Sequence, residues 1–202
     1  MTLQDFTVAA EVHLRQGRQP KQRLAAWQAV IRQAELAELV SNIDTEHIAC
    51  APGCGTCCAI NVSILEPEAL AIAAFVEMNF SPQEKTALLK RLEQLHKETA
   101  WLDDEERIMV RKPCAFLNSQ QSCSIHPVRP LLCRSLTSTS PESCRDAISM
   151  LALGEAPEVL CNLEHKKLYE QAFLSLADAL KSFNLDHSTY RLTGKILAKL
   201  TH

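Results

Sequence analysis

Apolar residues recur at intervals of three and four along much of this chain, the pattern of helices with one buried face. From Lys21 to Val40 the apolar set is Leu24, Trp27, Val30, Ile31, Ala34, Ala37 and Val40, which predicts an amphipathic helix. The same period returns between Glu164 and Phe183, through Leu168, Ala172, Phe173, Leu176, Leu180 and Phe183. Ser81-Pro82-Gln83-Glu84 has the form of a capping box with proline at the first helical position. The helix it opens carries Leu88, Leu89, Leu92 and Leu95 on one face, with Lys85, Lys90, Arg91, Glu93 and Lys97 on its solvated side. Pro67 starts a largely apolar helix running to about Asn79, expected to be central. Residues 3 to 16 are more weakly patterned and end at Gly17 and Pro20. Asp186 is expected to cap a last helix carrying Leu192, Ile196, Leu197 and Leu200. Ile60 to Leu65, INVSIL, is a short β-branched run that suits one strand.

The helical period gives way in two places. Asn42 to Ala49 leads into a cysteine loop, CAPGCGTCC, at Cys50 to Cys58. Pro113, Pro127 and Pro130 rule out one long helix across the second stretch, which runs from Cys114 through Cys123 and Cys133 to Cys144. Ser140-Pro141-Glu142 then reads as a helix start with Cys144 in its first turn, and Gly154 and Pro157 separate this region from the tail. Asp103 to Arg111, acidic and then basic, reads as a loop or short helix. The expected fold is mainly α: helices around an irregular, cysteine-rich core with at most one or two short strands. The expected division is a helical extension over 1-45, a cysteine-cluster domain over 46-148, and C-terminal helices over 149-202 packing on that domain.

Composition sharpens this picture. Only five glycines and 5% aromatics argue against an all-β sandwich. A net charge of -3 leaves no electrostatic footprint for nucleic acid. No apolar run reaches the roughly 18 residues that a membrane span needs. The opening MTLQDFTVAAEVHLRQ lacks the basic start and apolar core of a secretory signal, so a cytoplasmic location is expected. Nine cysteines in a reducing compartment, clustered and odd in number, read as metal ligands before they read as disulfides.

The thiols divide into Cys50, Cys54, Cys57 and Cys58, and a dispersed set of Cys114, Cys123, Cys133 and Cys144, with Cys161 left over. Gly53 and Gly55 allow the first loop to curl so that several sulfurs face one point. Converging thiolates suit zinc or iron, the latter alone or in an iron–sulfur cluster. Eight are too many for one four-coordinate ion, so two sites, a shared dinuclear site, or one cluster with spare thiols remain open. Adjacent Cys57 and Cys58 are expected to point in different directions. Thiolates around a metal leave buried negative charge that needs compensation. Arg129, Arg134 and Arg145 lie close in sequence to the second set and are candidates to donate hydrogen bonds to sulfur. His126 is a further candidate ligand, although a lone histidine is more often a hydrogen-bonded structural residue.

CGTCC at Cys54 to Cys58, PC at Cys114, CSIHPVRPLLCR at Cys123 to Arg134 and the final Cys144-Arg145 together resemble the zinc- or iron-chelating domain family of CxxCxxCC cysteine-cluster proteins. The resemblance spans about residues 46 to 148. It implies that Cys50, Cys54, Cys57, Cys58, Cys114, Cys123, Cys133 and Cys144 are the family's cysteines, with Arg129-Pro130 its RP pair and Arg134 the arginine that follows. Three residues separate Cys50 from Cys54 where the family has two, and His126 stands where tyrosine is frequent. The family is also similar to a cysteine-rich part of flagellin lysine methylases. Three functions follow as expectations: a metal-binding protein, an iron–sulfur enzyme with a protein substrate, and a helical adaptor stapled by metal. No GxGxxG-type loop, HExxH or Ser/His/Asp arrangement accompanies the cysteines.

Overall fold

The computed structural model describes residues 3–41, 43–151 and 158–201. The expected break at Gly154 and Pro157, and Asn42, lie outside them. The fold is mainly α. The helices are α1 (Leu3–Leu14), α2 (Pro20–Val40), α3 (Glu66–Asn79), α4 (Pro82–Thr99), α5 (Asp104–Met109), α6 (Leu131–Ser135), α7 (Pro141–Leu151), α8 (Leu163–Ser182) and α9 (Leu192–Leu200). One two-stranded antiparallel ribbon joins β1 (Ser63–Ile64) to β2 (Tyr190–Arg191), with Ser63 opposite Arg191 and Ile64 opposite Tyr190. Of the INVSIL run, only Ser63 and Ile64 pair as a strand.

Two apolar clusters hold the helices, and α3 lies between them. On one side α1, α2 and α8 pack through Phe6, Leu14, Trp27, Val30, Phe173 and Leu176. The three- and four-residue spacing on α2 and α8 turns those side chains to one face. On the other side α3, α4 and α9 pack through Ile72, Val76, Leu88, Leu92 and Ile196, together with Phe116 and Ile125 from the second cysteine stretch. Ala71 of α3 belongs to the first cluster and Ala69, Ile72 and Val76 to the second, so α3 is central because it is apolar on two faces.

Local signals fix the helix starts. The Ser81 hydroxyl accepts from Glu84 N–H at 3.3 Å, and the Glu84 carboxylate accepts from Ser81 N–H at 2.8 Å. Asp103 and Glu106 form a second such box, at 2.8 and 2.9 Å, which makes the acidic-to-basic tract a short helix. Asp186 does not cap the last helix: the N-cap of α9 is Arg191. The Asp186 carboxylate instead accepts from Ser188 N–H and the Tyr190 hydroxyl, because the β2 pairing delays the helix by several residues.

One buried carboxylate stitches the two cysteine stretches to the helical frame. Glu68, 1% exposed, accepts from Leu65 N–H at the start of α3 and from Leu131 N–H at the start of α6, both at 2.8 Å. Burial pushes its pKa up to about 7, outweighing the two N–H donors and the Arg134 charge.

Candidate metal centre

The first cysteine loop is shaped by two tight turns. Cys54 N–H donates to Ala51 O and Cys58 N–H to Gly55 O, each at 3.0 Å, and a single 3-10 turn spans Thr56–Ala59. Gly53 has φ +94°, a left-handed conformation that glycine adopts without steric cost. The loop is tied to the later cysteines by backbone: Cys114 N–H donates to Cys58 O at 2.7 Å, and Ala49 N–H to Ser138 O at 2.8 Å. Ser138 N–H also points at the Cys50 sulfur, 3.4 Å away.

The second set comes from three different local structures. Cys114 and Cys123 flank a hairpin-like turn in which Asn118 Oδ1 accepts from Gln120 and Ser122 N–H, and residues Leu117 and Cys123 face each other in a bridge. Cys133 rides on α6, whose first N–H is held by Glu68. Cys144 lies in the first turn of α7, where Ser143 N–H bonds the Ser140 hydroxyl.

All nine cysteines are free thiols, and all nine line one cavity of about 790 Å³. The early and late sets therefore share one space, and Cys161, which sequence spacing did not assign, borders it too. Among the described residues no three Cys, His, Asp or Glu side chains close around a single point as a metal site. As a donor set the sulfurs fit zinc or iron: soft, numerous, and presented from several sides of the same space.

Ionisation of the thiols is uneven. Cys57 is lowered to about 6, chiefly because the Cys58 thiol donates to it, with the Arg129 charge and its own N–H assisting. Cys58 is raised by the same hydrogen bond, then by burial. The opposite shifts couple these two neighbouring thiols, which both lie in the 3-10 turn at Thr56–Ala59. Burial raises Cys114 to about 11, and it also raises Cys50, Cys123 and Cys133. A cation that binds here displaces protons from buried thiols.

The three predicted arginines occupy different places. Arg129 lines the cavity, donates through Nη2 to Cys133 O, and bears electrostatically on Cys57, Cys123 and Cys133. Its Nε is buried without a hydrogen-bond partner. Arg134 spends its donors on oxygen, on Arg129 O and Pro127 O at 3.1 Å each and on Glu35 at 3.3 Å, so it braces the Arg129 backbone. Arg145 pairs with Glu142 at 2.7 Å on the exposed side of α7 and borders a shallow recess beside Pro52 to Thr56. His126 sits exposed at the cavity edge, its pKa lowered by desolvation and then by Arg129 and Arg134. Arg107 is the residue that the sequence concealed. It lies in α5, is 3% exposed, borders the cavity and acts on Cys114. The acidic first turn around it resembles a solvated tract, and it is the packing of α5 against distant parts of the chain, α7 among them, that encloses it.

No helix among the described residues is long and apolar enough to cross a membrane. A family model described as "CxxCxxCC: Putative zinc- or iron-chelating domain" matches residues 49–163. No curated protein and no solved structure matches the chain.

Proposed function

This chain belongs to the CxxCxxCC family of zinc- or iron-chelating domains, and we propose that it holds its metal through Cys50, Cys54, Cys57, Cys58, Cys114, Cys123, Cys133 and Cys144. The observation that carries this reading is the cavity bordered by both cysteine sets. Eight thiols exceed the four of one tetrahedral ion, so the reading favours two ions or a multi-iron cluster over one mononuclear site.

In this reading each residue has a part. Cys57, its pKa lowered to about 6, supplies an anionic sulfur at neutral pH. Arg129 offsets the thiolate charge that accumulates. Arg134 keeps Arg129 in place through its backbone carbonyl. Glu68 and the Cys114–Cys58 backbone bond hold the two stretches in register before any ion arrives. The metal, when bound, supplies a cross-link between sequence-distant segments. Residues 46–148 form the chelating unit, with the flanking helices as its frame, and a reducing compartment such as the cytoplasm keeps the thiols available.

Elemental analysis of protein prepared without oxygen tests this. Zinc or iron in stoichiometric amount, lost together from Cys57→Ser and Cys133→Ser, is expected. Brown protein with acid-labile sulfide would assign an iron–sulfur cluster and make the enzyme reading the stronger one; colourless zinc protein would assign a structural or storage site. Wild-type protein that takes up neither metal refutes the proposal.

A further inference from the structure

Beyond the thiols the cavity is lined by residues of α4, α5 and α9, among them His96, Ile108, Thr193 and Gly194, with Val62 and Phe116. Arg107 borders it as well. The residue is only 3% exposed, its Nη1 is fully enclosed, and among the described residues its guanidinium has no hydrogen-bond or ion-pair partner. A buried arginine without a counter-charge is costly, and the cost is recovered when an anion arrives. Arg129 bears on Cys57, Cys123 and Cys133, while Arg107 bears on Cys114, a thiol that burial holds protonated and which therefore offers the arginine no formal counter-charge.

A second, independent feature points to the same ligand. Helix α9 begins without a side-chain cap. Leu192 N–H goes to Val62 O at 2.9 Å, and the next two residues, Thr193 and Gly194, border the cavity. First-turn N–H groups left without a side-chain acceptor are donors for an anion, and the helix dipole favours negative charge there. Two adjacent residues bring this turn to the arginine's helix. The Asn61 amide donates to Asp103 O at 3.3 Å and Asp104 Oδ1 at 2.9 Å, where α5 begins, while Val62 takes the first N–H of α9. Arg191, the N-cap residue, also reaches Thr99 O and Ala100 O at the end of α4.

We propose that this end of the cavity binds a small organic carboxylate, its carboxylate group held by Arg107 and the first turn of α9, its apolar part lying along Val62, Ile108 and Phe116 toward the thiols. Arg191 also lines this end but is exposed and donates to Thr99 O and Ala100 O, so Arg107 is the buried guanidinium here, and one buried positive charge suits a monoanion better than a dianionic phosphate. The site needs no metal at the cysteines, and a thiolate at Cys114 would compete with the carboxylate for Arg107.

Isothermal titration of the full chain with acetate, hexanoate and benzoate, and with hexanamide and butyl phosphate as controls, tests it; metal content is measured on every sample. At least one carboxylate is expected to bind, with hexanamide at least tenfold weaker than hexanoate. Compared at matched metal content and with helical circular dichroism unchanged, Arg107→Met is expected to lose at least tenfold in carboxylate affinity, and Arg107→Lys to lose less. Failure of all three carboxylates, equal binding of hexanamide, preference for butyl phosphate, or unchanged affinity in Arg107→Met overturns the proposal. Loss of metal from Arg107→Met with carboxylate affinity retained overturns it too, because Arg107 then serves the thiols. Should Arg107→Met fail to fold, the acid-against-amide comparison on wild type and the Arg107→Lys variant still decide. Absence of metal in wild type with carboxylate binding intact sinks only the chelation reading.

Discussion

Replacing Glu68 by glutamine removes an ionisable group and leaves its shape. In the native protein the carboxyl is buried and accepts two backbone N–H groups, from Leu65 and Leu131. Glutamine offers one oxygen where two are used, so one buried N–H loses its acceptor, at a cost of about 1–3 kcal/mol. The pH dependence is the sharper signature. Folding raises the Glu68 pKa from the ordinary 4.5 to about 7, so between these values the folded state binds more protons than the unfolded chain. Stability therefore falls as pH rises through this window and levels off above it. At about 1.4 kcal/mol per pH unit, the group contributes about 3 kcal/mol at pH 4.5 that is gone by pH 8. Glutamine contributes nothing of the kind. Glu68→Gln should thus be less stable than wild type near pH 5, and the gap should close or reverse by pH 8. Urea melts followed through the buried Trp27, with metal content matched, give the difference at each pH. A difference that stays constant across the range, or widens toward pH 8, would refute the argument.

The remaining expectations concern the thiol cavity. Arg129→Gln should weaken zinc or iron binding by roughly 10–100-fold in competition titrations, since it removes the charge that faces three of the thiols. Gly53→Ala forces a side chain into φ +94° and should lower stability by about 1–3 kcal/mol in the same urea melts, with the loop cysteines slower to take up metal. Stripping metal with a chelator should lower the melting temperature of wild type far more than that of Cys133→Ser, because the ion cross-links segments that the backbone joins only through bonds such as Cys114 N–H to Cys58 O.

Much of the frame is legible from periodicity. On α2 and α8 most of the apolar residues read as one face pack together, but Val40, at the last turn of α2, lies past that packing and is 77% exposed. The capping box at Ser81 to Glu84 is visible for the same reason, since four consecutive residues carry the whole motif. Both cysteine groups are likewise written in the chain. What escaped reading depends on contacts across long separations. Glu68 looks like a solvated first-turn acid until Leu131, 63 residues later, arrives over it. Arg107 directly follows Asp104, Glu105 and Glu106, which would pair with it in water, and nothing local marks it as buried. Asp186 has the chemistry of a cap but β2 intervenes before α9 starts.

The joining of α1 and α2 to α8 in one cluster has a bearing on synthesis. Helices made first cannot finish burying their apolar faces until Leu168 to Leu180 have emerged from the ribosome, well after the last of the eight cysteines. During translation the first four thiols are consequently exposed while their eventual neighbours do not yet exist. A nascent chain in that condition is open to adventitious ions and to oxidants, and a supply of reductant or a holding chaperone at that stage would govern how much correctly loaded protein a cell obtains.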